Sequence, residues 1–509
     1  MADRSLQITA GLLALLIATL VLGTALALAS QSGGASLRPA DWSAIRFTIT
    51  QALISTVFSC ALAVPTARAL MRRRFPGRQA LILLMGAPFL LPVIVAVLGL
   101  LTIYGRSGLL NVALQSVGLP QISIYGLAGV VLAHVFFNLP LATRILLNGW
   151  QSIPAERFRL AETLNLPSPF RHIELPMLRA TLPGAALAIF LVCLTSFVVA
   201  LTLGGGPRAT TLELAIYQAL RFDFDAGRAA LLAAIQFAIC AAAVTLAARF
   251  TLPPALGAGL DRTLILHPPK HRTAFDVVVI TTAALFLLLP LAAVLIEGLP
   301  ALPHLPAAVW KAALRSLWMA VTSAALSVTA ALILAQAVAR SRSRLLELAA
   351  MLPLSASGLV LGTGLFLILR PHVRSEDIAL PVTILVNALM SLPFLFRLLL
   401  PEAIVLHASY DRLAQAIGLQ GRARLRYLTL PRLARPLGLG AGLAAALAMG
   451  DLGVIALFAN NDQATLPLVV QRLSGAYRME QAAAAALLLV TLSFVLFALF
   501  DLGGRRAAP

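Results

Sequence analysis

Twelve stretches of this chain are apolar and reach about the 20 residues that a bilayer crossing requires. They are residues 8–30, 48–71, 80–104, 122–148, 184–203, 229–250, 275–297, 312–339, 346–370, 378–400, 436–458 and 481–502. In lipid every backbone N–H and C=O must find its partner within the protein, so segments of this length can only be helices. The expected fold is an all-α polytopic membrane protein with about twelve transmembrane helices. Composition agrees, at 60% hydrophobic and 12% charged residues with a mean hydropathy of +0.92. Ile8–Ala29 starts like a secretory leader, but its apolar run exceeds the usual 7–15 residues. It is read as the first helix, retained.

A net charge of +19 raises the question of nucleic acid. With the N-terminus inside and twelve crossings, 27 of the 39 Lys and Arg fall on the inner face, while Asp and Glu divide evenly. That is the positive-inside bias of a membrane protein. It accounts for the charge without nucleic acid and places both termini in the cytoplasm. Cys60, Cys193 and Cys240 fall within spans at no metal-ligand spacing, and read as small buried hydrophobes rather than a disulfide framework.

The chain repeats itself. Arg157–Pro176 recurs as Arg412–Pro431, Pro140 answers Pro393, Thr211 answers Thr465, and Pro88 answers Pro353. An even number of helices per copy sets two six-helix repeats parallel, related by an axis along the membrane normal. Residues 1–252 form the first repeat, with a loop at 155–180. Residues 274–509 form the second, with a loop at 408–435. The Pro-rich stretch 253–273 is a cytoplasmic linker between them.

The repeated loop is basic and cytoplasmic in both copies. In the second, Tyr410, Leu413, Ala414 and Ile417 lie at i, i+3, i+4 and i+7, one face of a short helix. Leu160, Ala161 and Leu164 hold the equivalent positions in the first, with Arg157 in place of the tyrosine. Gly418 suits a left-handed helix end, and Asn165 is its usual substitute. Pro176 and Pro431 suit the first turn of the following helix. One such loop could simply lie on lipid headgroups; two at matched positions suit docking of a two-fold symmetric cytosolic partner.

Ala414, Gly418, Leu428, Leu430 and Pro431 follow the pattern A-x3-G-x9-(I/L)-x-L-P, which resembles the "EAA" loop of binding-protein-dependent (type I) ABC importer permeases. Longer strings narrow the resemblance to the fused permeases of bacterial thiamine ABC importers: RRRFPGR (Arg72–Arg78), YGRSG (Tyr104–Gly108), LAHVFFNLP (Leu132–Pro140), LTLGGGPRATTLELAIYQAL (Leu201–Leu220) and GDLGVIALFANNDQATLPL (Gly450–Leu468). The resemblance implies the type I permease fold in the bacterial inner membrane, with thiamine and its phosphates as cargo. It also implies a homodimeric ABC ATPase that uses ATP and Mg on the cytoplasmic face, and a periplasmic binding protein outside. Ile173, Leu175 and Pro176 join Leu160, Ala161, Leu164 and Asn165 as its first coupling loop. Two features depart from the family. Arg159 and Arg412 replace its Glu, and the first copy runs twelve residues from Asn165 to Pro176 against fourteen from Gly418 to Pro431. Identical docking of the two loops is therefore not expected.

No catalytic set stands out, so the chain is expected to be a transport subunit that binds no cofactor. Its only lysines, Lys270 and Lys311, follow Pro269 and Trp310, which excludes the Gly-Lys-Ser/Thr of a phosphate loop. Gly204–Gly206 reads as an outside turn, and His134 as a hydrogen-bonded helix residue. Asp451 is an acid within a span and hence a functional candidate. Phe197 and Phe458 offer aromatic faces to a cation such as the thiazolium ring, and Asn138 and Asn387 are further polar candidates for the pathway. Ferric iron or a polyamine are alternative cargoes. A secondary transporter of the major facilitator type is the rival class, although Ala67–Arg78 lacks the acid of that family's G-x3-D-R-x-G loop.

Overall fold

The computed structural model describes residues 2–86, 90–164, 168, 170–206, 209–247, 273–459 and 463–508. The linker 253–273 and Asn165 lie outside these, apart from Thr273. The first half runs α1 (Ala2–Gln31), α2 (Pro39–Arg72), α3 (Arg78–Leu84), α4 (Val93–Tyr104), α5 (Leu109–Ser116), α6 (Leu127–Gln151), α7 (Ala155–Thr163), α8 (Leu175–Leu194), α9 (Phe197–Leu203), α10 (Leu212–Arg221) and α11 (Ala226–Ala247). The second runs α12 (Thr273–Ala301), α13 (Ala307–Ser341), α14 (Arg344–Met351), α15 (Gly358–Leu369), α16 (Ser375–Ala416), α17 (Gly421–Arg424), α18 (Leu430–Met449), α19 (Gly453–Phe458), α20 (Leu466–Gly475) and α21 (Met479–Ala507). Among the described residues 11 helices are long and apolar enough to cross a membrane, or 12 if a bent pair counts as one. The polytopic all-helical reading stands.

Four spans are not the straight helices that hydropathy suggests. The ninth bends by 93° between Arg344–Ser355 and Gly358–Leu369, where Pro353 opens a 3-10 turn and Ser357 caps α15 by accepting from Val360 N at 3.1 Å. The third is likewise split, α3 ending at Leu84 and α4 starting after Pro92. The fifth breaks at Thr195–Ser196 and the eleventh at Gly450–Leu452. Window hydropathy averages over a span and cannot register a break inside it. By contrast α6 and α16 run unbroken despite internal prolines. Their most apolar windows are 78% and 72% buried, against 22% for the first helix, so surrounding helices keep them continuous.

Each half lends its first helix to the other. From the first half, α1 packs on α13, α14 and α15; α12 returns the contact on α2 and α4. Small residues allow the close crossing, as is usual between membrane helices. A Cβ on Gly99 of α4 would stand 2.3 Å from the Pro290 carbonyl oxygen of α12, and one on Gly364 of α15 would stand 2.5 Å from Thr24 Cβ of α1. Gly99→Leu should therefore wedge the halves apart at a cost of about 1–3 kcal/mol or more. A lowered unfolding temperature in detergent is expected, with Gly11→Leu unchanged because nothing lies within 4 Å of its added Cβ.

Candidate functional site

The two repeated loops are built alike at their helical faces and differently behind them. Leu160 and Leu164 are 59% and 62% exposed, Leu413 and Ile417 are 57% and 66% exposed, and Ala161 and Ala414 are each only 2% exposed. An i, i+4 pair of apolar side chains thus stands free above a buried alanine in both halves. Pro154 ends the link after α6 and makes α7 a separate helix. The second copy has His407 there, and α16 continues from the tenth span straight into the loop instead of forming the separate short helix expected. It stops at Gly418, whose φ is +68°. Gly418 N donates to Gln415 O at 3.1 Å and Leu419 N to Ala414 O at 2.8 Å, a Schellman end that glycine permits. Tyr410 lies on this helix with the Arg432 guanidinium 4.7 Å from its ring centre.

Behind each loop sits a π-helical turn, Phe170–Glu174 and Leu425–Thr429, leading into α8 and α18 with Pro176 and Pro431 in the first turn. Ile173, Leu175 and Leu428 are half-buried and Leu430 is 40% exposed. From the π-turn onward the copies are in register, so their length difference falls before it. Ionic ties differ completely. Glu174 accepts from Arg68 Nε at 2.7 Å, Arg72 Nη2 at 3.4 Å and Trp150 Nε1 at 3.2 Å. In the second half Thr429 ends the turn instead. There Asp411 pairs with Arg424 and with His407 Nδ1, and His407 Nε2 meets Gln336 Oε1 at 2.8 Å.

The second group of candidates gathers where the halves meet. Asp451 lies in the break between α18 and α19, and its Oδ1 accepts from Val454 N at 3.5 Å, capping α19. Asn387 of α16 faces its carboxylate, and Asp451 Oδ2 is buried. Phe197, first residue of α9, comes within 3.6 Å of a Cβ position on Gly453. Phe458 lies at the far end of α19, 1% exposed and edge-on to Phe366 at 5.4 Å between ring centres. Asn138 is elsewhere, inside the first half, donating to His134 O at 2.9 Å and to Cys193 Sγ at 3.3 Å. His134 Nδ1 meets Ser55 Oγ at 3.2 Å, and all three cysteines are buried and free.

Sequence reasoning passed over Glu213, which is 1% exposed on α10. It lies between the predicted spans 184–203 and 229–250, so the criterion that singled out Asp451 did not reach it; the only local signal is an acid flanked by Leu212, Leu214 and Ala215. Glu174 was hidden for another reason, since nothing in the loop's own pattern points to Arg68 on α2.

No family model matches the chain. Curated proteins do. It is 42% identical over 483 residues to the thiamine transport system permease protein ThiP of Salmonella typhimurium, covering 92% of this chain and 90% of that one. The protein of the same description from Brucella abortus is 40% identical over 516 residues, covering 97% and 94%. A probable ABC transporter permease from Sinorhizobium fredii is 32% identical over 197 residues, 37% of this chain and 63% of that one.

Proposed function

We propose that this chain, which belongs to the family of thiamine transport system permease proteins, is the membrane-spanning subunit of an ATP-driven importer that carries thiamine into the cytoplasm. Identity sustained along more than nine-tenths of the chain carries the reading. In this reading the chain is a multi-pass protein of the bacterial inner membrane with both termini in the cytoplasm. It has no ATPase site of its own and holds no cofactor; ATP and Mg are used by a homodimeric ABC ATPase docked on the loops at 155–180 and 408–435. A periplasmic binding protein delivers thiamine to the opposite face.

The mechanism follows from the two ridges. Closure of the ATPase dimer around ATP draws Leu160 and Leu164 toward Leu413 and Ile417. Because α16 is one helix from membrane to ridge, the second half moves as a lever. In the first half the motion passes through the Glu174 cluster to α2. Alternating access results, with the seam opening first to one side and then to the other. Thiamine phosphates are further cargo of the same path. The other cargoes of fused permeases, ferric iron and polyamines, are not what the relatives' descriptions name.

Uptake of labelled thiamine by vesicles containing the chain, its ATPase and its binding protein tests this directly. Accumulation should require ATP and all three components. Uptake by the chain alone without ATP would overturn the reading in favour of a secondary transporter.

A further inference from the structure

Glu213 sits at the seam in an unusual electrostatic setting. It occupies the first turn of α10, and Ser357, the cap of α15 from the other half, approaches the same carboxylate. Burial works against its charge, and two helix N-termini work for it. Gln236 Nε2 donates to Oε1 at 3.4 Å, but Oε2 is buried with no hydrogen-bond partner. No arginine or lysine pairs with it among the described ion pairs. A buried acid held this way lacks a counter-charge among the described ion pairs.

An aromatic row leads to it from the exposed side. Phe222, in the turn between α10 and α11, is 65% exposed. Its ring lies edge-on to Tyr217 at 5.7 Å, and Tyr217 lies edge-on to the buried Phe197 at 5.2 Å. Tyr217 is four residues on from Glu213, so both side chains share one face of α10. Phe197 in turn borders Gly453, two residues beyond the buried Asp451. Arg221 and Arg472 lie close to Tyr217, so a cation meets net negative surroundings only further in, at Glu213.

We infer that Glu213, with the row Phe222, Tyr217 and Phe197, is the recognition site for the permanently charged heteroaromatic ring of the cargo. The carboxylate supplies the counter-charge and the rings supply cation–π faces, each stronger once water is excluded. Glu213 is then the residue that selects for a cation, with Asp451 as the next acid along the seam. This rests on the thiamine reading.

The test uses the complete complex in proteoliposomes with labelled thiamine. Glu213→Gln, matched to wild type in size-exclusion profile and unfolding temperature, should lower the initial rate about tenfold, as loss of one buried cation contact implies. Glu213→Asp should recover most of the rate. Tyr217→Leu should lose most of the rate and Tyr217→Phe, which keeps a ring face, should recover most of it, a pair that reads the site even if Glu213→Gln fails to assemble. Wild-type uptake with unchanged Glu213→Gln, or equal rates for the two Tyr217 variants, would overturn this inference alone. A wild-type complex that takes up no thiamine overturns the thiamine reading itself.

Discussion

Leu413→Asp is expected to leave the chain folded and to release the ATPase from the second half. The side chain is 57% exposed, so the substitution costs the permease little by itself. In the docked complex the balance changes. Covering a leucine of this size contributes about 1.5–3 kcal/mol, and a carboxylate forced into the same groove without a partner adds several more. A loss above about 3 kcal/mol corresponds to more than a hundredfold in affinity. Co-purification of the ATPase with Leu413→Asp should fail, and thiamine uptake should fall by a similar factor. Leu160→Asp probes the other copy. It should also weaken docking, through a short helix that Pro154 has cut from its span rather than through the end of α16. If Leu413→Asp retained its ATPase at wild-type stoichiometry, the exposed ridge would be a lipid-facing surface and the coupling role would be lost.

The parts of the molecule that follow local rules could be read from the chain. Apolar length marks each span, positive φ marks Gly418, and a proline one turn into a helix marks Pro176 and Pro431. What escaped depends on residues distant in sequence or on direction. The breaks at Thr195–Ser196 and Gly450–Leu452 interrupt stretches whose mean hydropathy stays high. The continuity of α16 through Pro393 and Pro401 runs against the local preference of proline and comes from burial among neighbouring helices. Asp451 is conspicuous as an acid inside a predicted span, whereas Glu213 falls between two of them. Only the fold shows that one caps α19 while the other faces the cap of α15. Charge asymmetry between the loops was legible as a difference in length, but its physical content was not.

That content is tested by comparing the two acids that tie the loops down. Glu174→Ala should destabilise the chain by about 3–5 kcal/mol, the usual consequence of removing one partner from a buried ion pair. The Glu174 side chain is 3% exposed and Arg72 is 9% exposed, so the arginines cannot turn to water without moving the π-turn. Trp150 Nε1 loses its acceptor at the same time. Asp411 is 32% exposed, where solvent screens the pair with Arg424 and holds its worth near about 1 kcal/mol. Asp411→Ala should accordingly cost little, and unfolding temperatures in detergent should rank Glu174→Ala far below Asp411→Ala and wild type. Limited proteolysis should show new cleavage near Arg171 in Glu174→Ala, with no matching site near Arg426 in Asp411→Ala. Equal effects in the two variants would mean that the halves are tied alike after all. Unequal ones would make the first loop the stiffly anchored member and the second a rod steadied by α16 itself. Two unlike anchors under two like ridges would let one chain meet the proposed symmetric ATPase dimer while its halves have diverged.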